Sequence, residues 1–474
     1  MHDKQAIKSG FIWSALDSLG TQAIGLVISL ILANILGPSA YGLIAMLAIF
    51  MAIASVFVNS GFSSALIRKT DRSEADFSTT FYFSLAVSIG CYTLLFLSAP
   101  YIAQFFAQPE LTLLTRVIAL TIIINTFGTI PRVKLSVSLN FKTQAKCNLI
   151  ALVVSGSLAL VLAYLGFGVW ALVAQQLLLV LVNVLMLNLL IPWWPKQKFS
   201  PASFKELFGF GSKLLLSGLL DTIYNNLYGL IIGKQYSVAQ LGLFNQANTL
   251  SSVPATTITG IIQKVTYPML SAMQHDTKKL DAAYLTTLQC AAFVIFPVMF
   301  GLCIIAKPLI AVLLGPEWQG SAEFISIITM ALVLYPIHAI NLNMLQVKGR
   351  SDLFLKLEII KKVIMTLMLI ITVPMGIKAM CVGMVVQSYL SLLVNTYYTG
   401  KLSSLTAYKQ LLALLPIGVI TALSAFTGYI VGININSNIL QIVTMLIVAL
   451  STYIVIMLLV QRPLLVNLKH TLKA

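Results

Sequence analysis

Two carboxylates stand in the middle of long apolar stretches of this 474-residue sequence. Asp17 lies in the first apolar stretch and Asp221 lies at an equivalent place in the seventh. A charged side chain at the centre of a membrane-spanning helix costs roughly 2.5–3.5 kcal/mol, so it normally faces water or a partner. The pair therefore predicts a site for a coupling cation or proton, or an anchor for a basic substrate-binding residue. A structural hydrogen bond or ion pair between helices is the simpler alternative.

Uncharged polar side chains form stripes at helical spacing in other apolar stretches. One stripe runs from Asn245 to Gln263 in the eighth stretch, and Ser217, Asp221 and Asn225 share a face of the seventh. A single Ser or Thr in such a helix usually joins two helices, but a continuous polar stripe favours the wall of a hydrophilic cavity. The candidate cavity residues are Asn59, Asn125, Asn225, Asn245, Asn248, Gln263 and Asn341.

One histidine and three cations complete the candidate residues. His338 shares a face with Asn341 and is a third ion-coupling candidate because histidine titrates near neutral pH; a satisfied buried histidine is the commoner case. Arg116, Arg132 and Lys264 are candidates for binding an anionic substrate, since arginine suits bidentate recognition of phosphate. For Arg132 and Lys264 the alternative is that they mark the inner ends of their helices.

The composition indicates that lipid surrounds most of the chain. Hydrophobic residues make up 58% of it and charged residues only 9%, whereas a soluble domain is about 25% charged. Stretches of about 20 apolar residues suit membrane-spanning helices. We therefore expect an all-α integral membrane protein with about fourteen transmembrane helices, at 11–34, 42–66, 77–99, 112–131, 147–165, 168–191, 211–232, 240–262, 284–306, 322–346, 357–376, 378–399, 411–432 and 438–460.

The distribution of basic residues supports this topology. With the N-terminus in the cytoplasm, all of the 30 Lys and Arg residues fall on the inner side except Arg116, Lys234, Lys307 and Lys378. Basic residues favour the cytoplasmic side of a membrane, so both termini are expected there. The formal charge of +16 thereby has a topological explanation, and no nucleic-acid partner is expected.

The two halves of the chain resemble each other weakly. Residues 41–43 (YGL) and 241–243 (LGL) follow the first and seventh helices at an offset of 200 residues. Six helices in each half, both beginning inside, predict two parallel-repeat lobes with a site at their interface. The expected domains are a six-helix lobe at 1–200, a second at 201–401, and a helix pair with a cytoplasmic tail at 402–474.

Motifs for catalysis or a cofactor are absent from the sequence. It contains no GxxxxGK[ST] phosphate loop, no HExxH and no cluster of Cys and His, so neither an enzyme, nor a cofactor, nor a metal site is predicted. The five cysteines lie in or beside apolar stretches and are expected to be small core residues.

Short motifs at the helix ends resemble one known family. Residues 36–42 (LGPSAYG) and 61–68 (GFSSALIR) are similar to the opening of the bacterial polysaccharide-export flippases. These include O-antigen and colanic-acid translocases and belong to the multidrug/oligosaccharidyl-lipid/polysaccharide exporter superfamily. The resemblance covers roughly residues 8 to 400. Further matching segments are 265–268 (VTYP), 306–310 (AKPLI), 314–318 (LGPEW) and 346–352 (QVKGRSD).

This resemblance implies a flippase that moves an undecaprenyl-pyrophosphate-linked oligosaccharide across the bacterial cytoplasmic (inner) membrane by alternating access. Its product would enter O-antigen, capsule or exopolysaccharide biosynthesis. Arg116, Arg132 and Lys264 would bind the pyrophosphate, and Asp17 or Asp221 would couple transport to an ion gradient. Expected partners are the lipid-linked oligosaccharide, membrane lipid, and the polysaccharide polymerase and chain-length machinery. The alternatives are a cation-coupled multidrug exporter of the same superfamily and a lipid II flippase.

Overall fold

The computed structural model describes residues 4–59 and 61–461, with side chains from residue 19 onward except those of 60, 210 and 213. Over this part the chain is all-helical and has no strand, which confirms the predicted fold class. Two short 3-10 helices, Pro316–Trp318 and Val373–Met375, accompany the α-helices. The α-helices are α1 Lys4–Asn59, α2 Phe62–Arg68, α3 Glu74–Phe106, α4 Leu111–Ile118, α5 Leu120–Thr126, α6 Thr129–Val137, α7 Phe141–Tyr164, α8 Val169–Leu190, α9 Pro201–Gln235, α10 Val238–Ala272, α11 Thr277–Leu313, α12 Gln319–Leu332, α13 Tyr335–Val347, α14 Ser351–Thr372, α15 Ile377–Gly400, α16 Ala407–Gly432 and α17 Asn438–Val460.

The helices account for a multi-pass membrane protein. Among the described residues nine helical segments are long and apolar enough to cross a membrane, or ten if the bent pair Leu111–Thr126 and Thr129–Val137 is one span. The predicted segments fall on helices, but the exact count of fourteen stays a prediction. The first two predicted segments share α1, and polar residues interrupt the apolar sequence of α9, α10 and α14.

A sharp bend divides α1 into two helical segments. Gly37 has a φ of 71° and a ψ of 174°, outside the helical region, and Pro38 follows it. A positive φ is strained for a residue with a side chain, and a proline restricts the residue before it to non-helical conformations. Gly37 and Pro38 therefore separate the first two predicted helices, although α1 continues on both sides of the bend.

Two glycines make reciprocal backbone contacts just beyond this bend. A Cβ on Gly42 would lie 2.0 Å from the carbonyl oxygen of Val238, and a Cβ on Gly242 would lie 1.9 Å from that of Pro38. Each contact is the other shifted by 200 residues, the offset of the repeat. Only glycine permits so close a backbone approach.

Contacts between Cα atoms divide the chain into two compact units, Met1–Gly242 and Leu243–Ala474. In the first unit, the small residues Ala159, Ala163 and Ala171 pack with Ile28 and Leu32 and bring α1, α7 and α8 together. Small residues allow such close packing of membrane helices. The expected division at residues 200 and 401 stays a prediction.

In the second unit, the core surrounds α11. Tyr284, Ile295 and Met299 of α11 are buried against residues of α13, α16 and α17. The C-terminal helix pair packs in this core, because Ile417 of α16 and Met457 of α17 belong to the same cluster.

The first turn of α3 ties down two connecting segments. Asp76 is buried and forms a capping box with Ser73, the N-cap residue. Lys69, in the link before α3, lies 3.0 Å from an Asp76 oxygen and 2.9 Å from one of Glu206 on α9. Hydrogen bonds to Glu206 and to Asp76 raise the pKa of Lys69, so it remains charged. The C-terminal end of α2 and the N-terminal ends of α3 and α9 are thereby held together.

The second turn of α11 makes a similar attachment in the second unit. Asp281 is buried and accepts hydrogen bonds from the backbone N–H of Ser404 at 2.7 Å and from its hydroxyl at 2.6 Å. Ser404 lies in the link between α15 and α16. These two hydrogen bonds attach the link between α15 and α16 to the N-terminal part of α11.

Candidate functional site

A polar cavity of about 300 Å³ lies between α1, α5 and α8 in the first unit. Its volume is at the lower end of the range for small-molecule sites. Five of the ten lining residues are polar. Two of these five, Asn59 and Asn125, are among the predicted cavity residues. The polar lining consists of Ser55, Asn59, Thr121, Asn125 and Gln176, and the apolar lining of Met51, Ala52, Val58, Ile122 and Val180.

Arg132 on α6 is bonded to this cavity through Asn125. Its Nη2 donates to the Oδ1 of Asn125 at 2.6 Å and to the Oδ1 of Asn183 on α8 at 3.1 Å. The Nδ2 of Asn183 donates in turn to the Oδ1 of Asn148 on α7 at 2.8 Å. The guanidinium is therefore held by one amide from α5 and one from α8.

Gly128 provides the space that this arrangement needs. A Cβ on Gly128 would lie 3.1 Å from the Nη2 of Arg132 and 3.0 Å from a methyl of Val184. The missing side chain lets the guanidinium turn back along its own helix, between α6 and α8. A bulkier residue at this position would push it away from both of its amide partners.

The charge of Arg132 is balanced by no carboxylate within the described residues. Its hydrogen-bond partners are the neutral amide oxygens of Asn125 and Asn183. Taking a cation out of water costs several kcal/mol unless an anion and further hydrogen bonds compensate it. Guanidinium donors also match the oxygens of carboxylates and phosphates. An unbalanced arginine beside a polar cavity is thus suited to binding an anion.

The other two candidate cations lie in different surroundings. Arg116 on α4 stacks on α3: its Cζ is 4.3 Å from the centroid of the Phe96 ring and its Nε donates to the Phe96 carbonyl at 3.4 Å. Lys264 is exposed on α10. Their predicted roles with an anionic group stay predictions.

In the second unit His338 links α13 to α15. The Nδ2 of Asn395 lies 3.1 Å from its Nδ1, and the Oγ of Ser388 lies 3.2 Å from its Nε2. An amide nitrogen only donates, so Nδ1 accepts and Nε2 carries the proton. The Ser388 hydroxyl passes its own hydrogen to the carbonyl of Ala331 at 2.7 Å. This arrangement describes a neutral imidazole that fastens two helices.

Asn341 is fully buried in a hydrogen-bond network with Tyr284, and its predicted place in a cavity wall stays a prediction. The hydroxyl of Tyr284 on α11 lies 2.7 Å from the Oδ1 of Asn341 and 3.0 Å from the Oε1 of Gln410 on α16. Thr399 on α15 donates to the same Asn341 oxygen at 3.0 Å. Four helices of the second unit meet in this network.

Removing the hydroxyl at the centre of this network is expected to destabilise the protein. Tyr284→Phe leaves buried oxygens of Asn341 and Gln410 without this donor, which costs about 1–2 kcal/mol. We expect a lower thermal unfolding temperature in detergent. Tyr101→Phe is the control, because Tyr101 is 73% exposed. Equal unfolding temperatures for the two variants would contradict the assignment.

The remaining candidates lie on α1, α9 and α10. The side chain of Asp17 lies outside the described residues, and its role stays a prediction. Asp221 and Asn225 are exposed on α9. The polar stripe of α10 includes three candidates that are each partly buried: Asn245, Asn248 and Gln263.

Several hydroxyls of the α10 stripe bond back to their own helix. The hydroxyl of Thr249 donates to the carbonyl of Asn245 at 2.9 Å, and that of Thr256 donates to the carbonyl of Ser252 at 2.8 Å. Such bonds satisfy a hydroxyl in an apolar surrounding without a partner helix. The amides of the stripe are therefore better suited than its hydroxyls to contact a polar ligand.

Sequence reasoning missed the residues that α7 and α8 bring to the cavity and to Arg132. Gln176 and Asn183 are seven residues apart and share a face of α8. That spacing was the available signal. Asn183 and Asn148 lie on different helices, α8 and α7. Their contact therefore depends on how these helices pack and has no signal in the sequence spacing.

Comparison with known proteins places the chain in a family. The model of the family described as "Polysaccharide biosynthesis protein" matches residues 31–323. The chain belongs to this family. The matched region begins in α1 and ends in α12, so it includes the polar cavity, Arg132, and the reciprocal contact of Gly42 and Gly242.

Two curated proteins illustrate the similarity within polysaccharide biosynthesis. The chain is 24% identical over 349 residues to the teichuronic acid biosynthesis protein TuaB of Bacillus subtilis (strain 168), covering 73% of this chain and 72% of that protein. It is 23% identical over 359 residues to the lipopolysaccharide biosynthesis protein WzxC of Escherichia coli (strain K12), covering 74% and 72%.

A solved structure shares the fold. The lipid II flippase MurJ, in an inward closed conformation, superposes with a TM-score of 0.75 at 15% sequence identity. The superposition covers 94% of this chain and 99% of that one. The polysaccharide biosynthesis protein described here therefore has a membrane transporter fold over nearly its whole length.

Proposed function

We propose that this protein flips an oligosaccharide linked to undecaprenyl pyrophosphate from the inner to the outer leaflet of the bacterial cytoplasmic membrane. The saccharide passes through a polar interior by alternating access, while the polyprenyl chain stays in the bilayer. The product supplies O-antigen, capsule or exopolysaccharide synthesis. A polymerase and chain-length machinery are the partners that take it up on the outer side.

The observation that carries this proposal is Arg132 beside the polar cavity of the first unit. A pyrophosphate offers several oxygens to the guanidinium, and a charge-assisted bond of this kind is about twice as strong as a neutral one. The amides of Asn59, Asn125 and Gln176 suit sugar hydroxyls because each amide both donates and accepts hydrogen bonds. Arg132 and the amides of the neighbouring cavity are then available to different polar parts of the substrate.

The relatives support the same class of substrate. TuaB is named for the biosynthesis of teichuronic acid and WzxC for that of lipopolysaccharide. The lipid II flippase MurJ, whose fold this chain shares, is named for moving a lipid. A transporter fold, a polysaccharide family and an anion site point together to a lipid-linked saccharide.

Coupling to an ion gradient is part of the proposal. Asp221 is exposed on α9, Asp17 is its counterpart in the first predicted helix, and His338 lies between α13 and α15. Ion or proton binding during the transport cycle is assigned to Asp17 or Asp221, with His338 as a further candidate. The N- and C-termini are placed in the cytoplasm, as the basic residues indicate.

Deleting the protein from its host tests this function. We expect a complete lipid-linked repeat unit to accumulate facing the cytoplasm, because its synthesis continues while its export stops. Lipid extraction and analysis of undecaprenyl-linked saccharides in each leaflet measures this. Wild type restores export, and Asp221→Asn does not if this carboxylate couples transport.

Two other outcomes would replace the proposal with its alternatives. Normal lipid-linked saccharides together with new sensitivity to cationic dyes would indicate a multidrug exporter. Arrested cell-wall synthesis and cell death, with lipid II as the accumulated species, would indicate a lipid II flippase.

A further inference from the structure

The link between α8 and α9, residues 191–200 (IPWWPKQKFS), is fastened to the first turns of α3. The backbone N–H of Gln197 donates to the hydroxyl of Ser78 at 3.3 Å, and that of Ser200 donates to the hydroxyl of Thr79 at 3.0 Å. Both hydroxyls are fully buried. The link therefore has a defined conformation although it is neither helix nor strand.

A third bond fixes one of its two tryptophans. The Nε1 of Trp193 donates to an oxygen of Glu74 at 3.1 Å. Lys134 stands nearby, with its Nζ 5.6 Å from the centroid of the Trp193 ring and 3.6 Å from Glu74. Trp193 is thus held against the protein, whereas Trp194 packs one side of its ring near Phe81 and Phe127 and remains largely exposed.

The outward side of the link carries an aromatic ring and two lysines. Trp194, Lys196 and Lys198 occupy alternate positions and are all exposed, Trp194 by 67%. Lys205, in the first turns of α9, is also exposed. None of these three lysines is paired with a carboxylate in the described portion of the chain.

An indole beside free lysines matches the chemistry of the membrane–water interface. Tryptophan prefers the headgroup level, where its ring is partly apolar and partly polar. A lysine near an anionic leaflet strengthens binding by about 1 kcal/mol, or roughly fivefold. Because the link is held in place beforehand, little conformational entropy is lost when headgroups bind.

The geometry points to an anionic phospholipid site formed by Trp194, Lys196 and Lys198. It takes the phosphate of a phosphatidylglycerol-type headgroup from the inner leaflet, with the indole between the headgroup and the upper part of the acyl chains. The assignment of this site to the inner leaflet rests on the membrane orientation in the proposed function. The binding of an anionic lipid to the site does not rest on it. The site fixes the depth of α8 and α9 in the membrane.

A titration with short-chain lipid tests the site. The purified full-length protein in neutral detergent is titrated with dioctanoyl-phosphatidylglycerol, and the emission of Trp194 is taken as the difference between wild type and Trp194→Phe. We expect a saturable emission change, and an affinity at least tenfold weaker in Lys196→Gln/Lys198→Gln. Lys278→Gln/Lys409→Gln removes two other exposed lysines and is expected to retain the wild-type affinity.

The control ligands separate the possible outcomes. Dioctanoyl-phosphatidylcholine with the same affinity as phosphatidylglycerol, or an unchanged affinity in the double variant, would overturn the anionic lipid site. Glycerol 3-phosphate binding as tightly as the lipid would show a site for free anions instead. No saccharide is present, so a failure here is independent of a failure to flip.

The leaflet is tested separately in spheroplasts. A membrane-impermeant maleimide is expected to react with Lys196→Cys only after the membrane is opened. The wild-type protein measures the background labelling of the native cysteines. Labelling of intact spheroplasts above that background would place the link on the outer side and overturn the inner-leaflet assignment.

Discussion

Arg132→Gln is expected to lower the rate of oligosaccharide translocation at least tenfold. The glutamine retains a polar group near Asn125 and Asn183 but removes the only charge that this cluster offers to a pyrophosphate. Loss of one partner from a buried charged pair commonly costs 2–5 kcal/mol, and tenfold corresponds to 1.4 kcal/mol. The measurement is the export of surface polysaccharide by a deletion strain that carries the variant.

Two matched variants separate charge from folding. Arg132→Lys keeps the charge but loses bidentate geometry, so its activity is expected to lie between those of the wild type and Arg132→Gln. Lys134→Gln removes a cation two residues away that is paired with Glu74, and it should transport normally. Equal activity of Arg132→Gln and the wild type would refute an anion site at Arg132.

Among the glycines whose surroundings the structure describes, Gly42→Ala and Gly242→Ala are expected to be the most destabilising single methyl additions. The new Cβ would stand 2.0 Å or less from a backbone carbonyl oxygen, and a backbone atom cannot rotate away as the end of a side chain can. Overpacking usually costs 1–3 kcal/mol, so we expect a loss of about 3 kcal/mol or more in the free energy of unfolding. Thermal unfolding in detergent measures it.

Gly90→Ala is the control for these variants. Gly90 lies inside α3, and a Cβ there would meet nothing within 4 Å. Alanine is a better helix former than glycine by about 1 kcal/mol, so this variant should be neutral or slightly stabilised. If Gly42→Ala also unfolds at the wild-type temperature, the close crossing of α1 and α10 does not exist in the protein.

The reciprocal geometry adds a further expectation for the double variant. Once a methyl at position 42 has forced the two backbones apart, a methyl at position 242 meets less resistance. The double variant should therefore lose less free energy of unfolding than the sum of the losses in Gly42→Ala and Gly242→Ala. Residues that share one contact commonly show such non-additivity. Full additivity would indicate two independent contacts.

The positions of the helices followed from the sequence because lipid imposes a simple pattern of apolar length and basic ends. The subdivisions were harder to predict. Gly37 and Pro38 bend α1 without ending its hydrogen-bonded helix, so two expected helices became one element. Near Gly128, the fourth expected helix bends by 44°, which apolar length alone does not reveal.

The site was predictable where it depends on one helix and not where it depends on packing. Asn125 and Arg132 are seven residues apart, so their shared face was visible in the sequence, and the structure places them in hydrogen-bond contact. The partnership with Asn183 and the cavity position of Gln176 depend on how α5, α6 and α8 pack. A polar stripe shows which side of a helix avoids lipid but not which helix it meets.

The most direct test of the central claim is translocation by the purified protein in proteoliposomes. An undecaprenyl-pyrophosphate-linked saccharide is incorporated into both leaflets, and an enzyme that cannot cross the membrane digests the saccharide from outside, with and without an imposed proton gradient. We predict that wild-type protein makes the saccharide of the inner leaflet accessible to the enzyme, while Arg132→Gln leaves it protected as in protein-free vesicles. Continued protection with folded wild-type protein, under either condition, would contradict the proposed flippase.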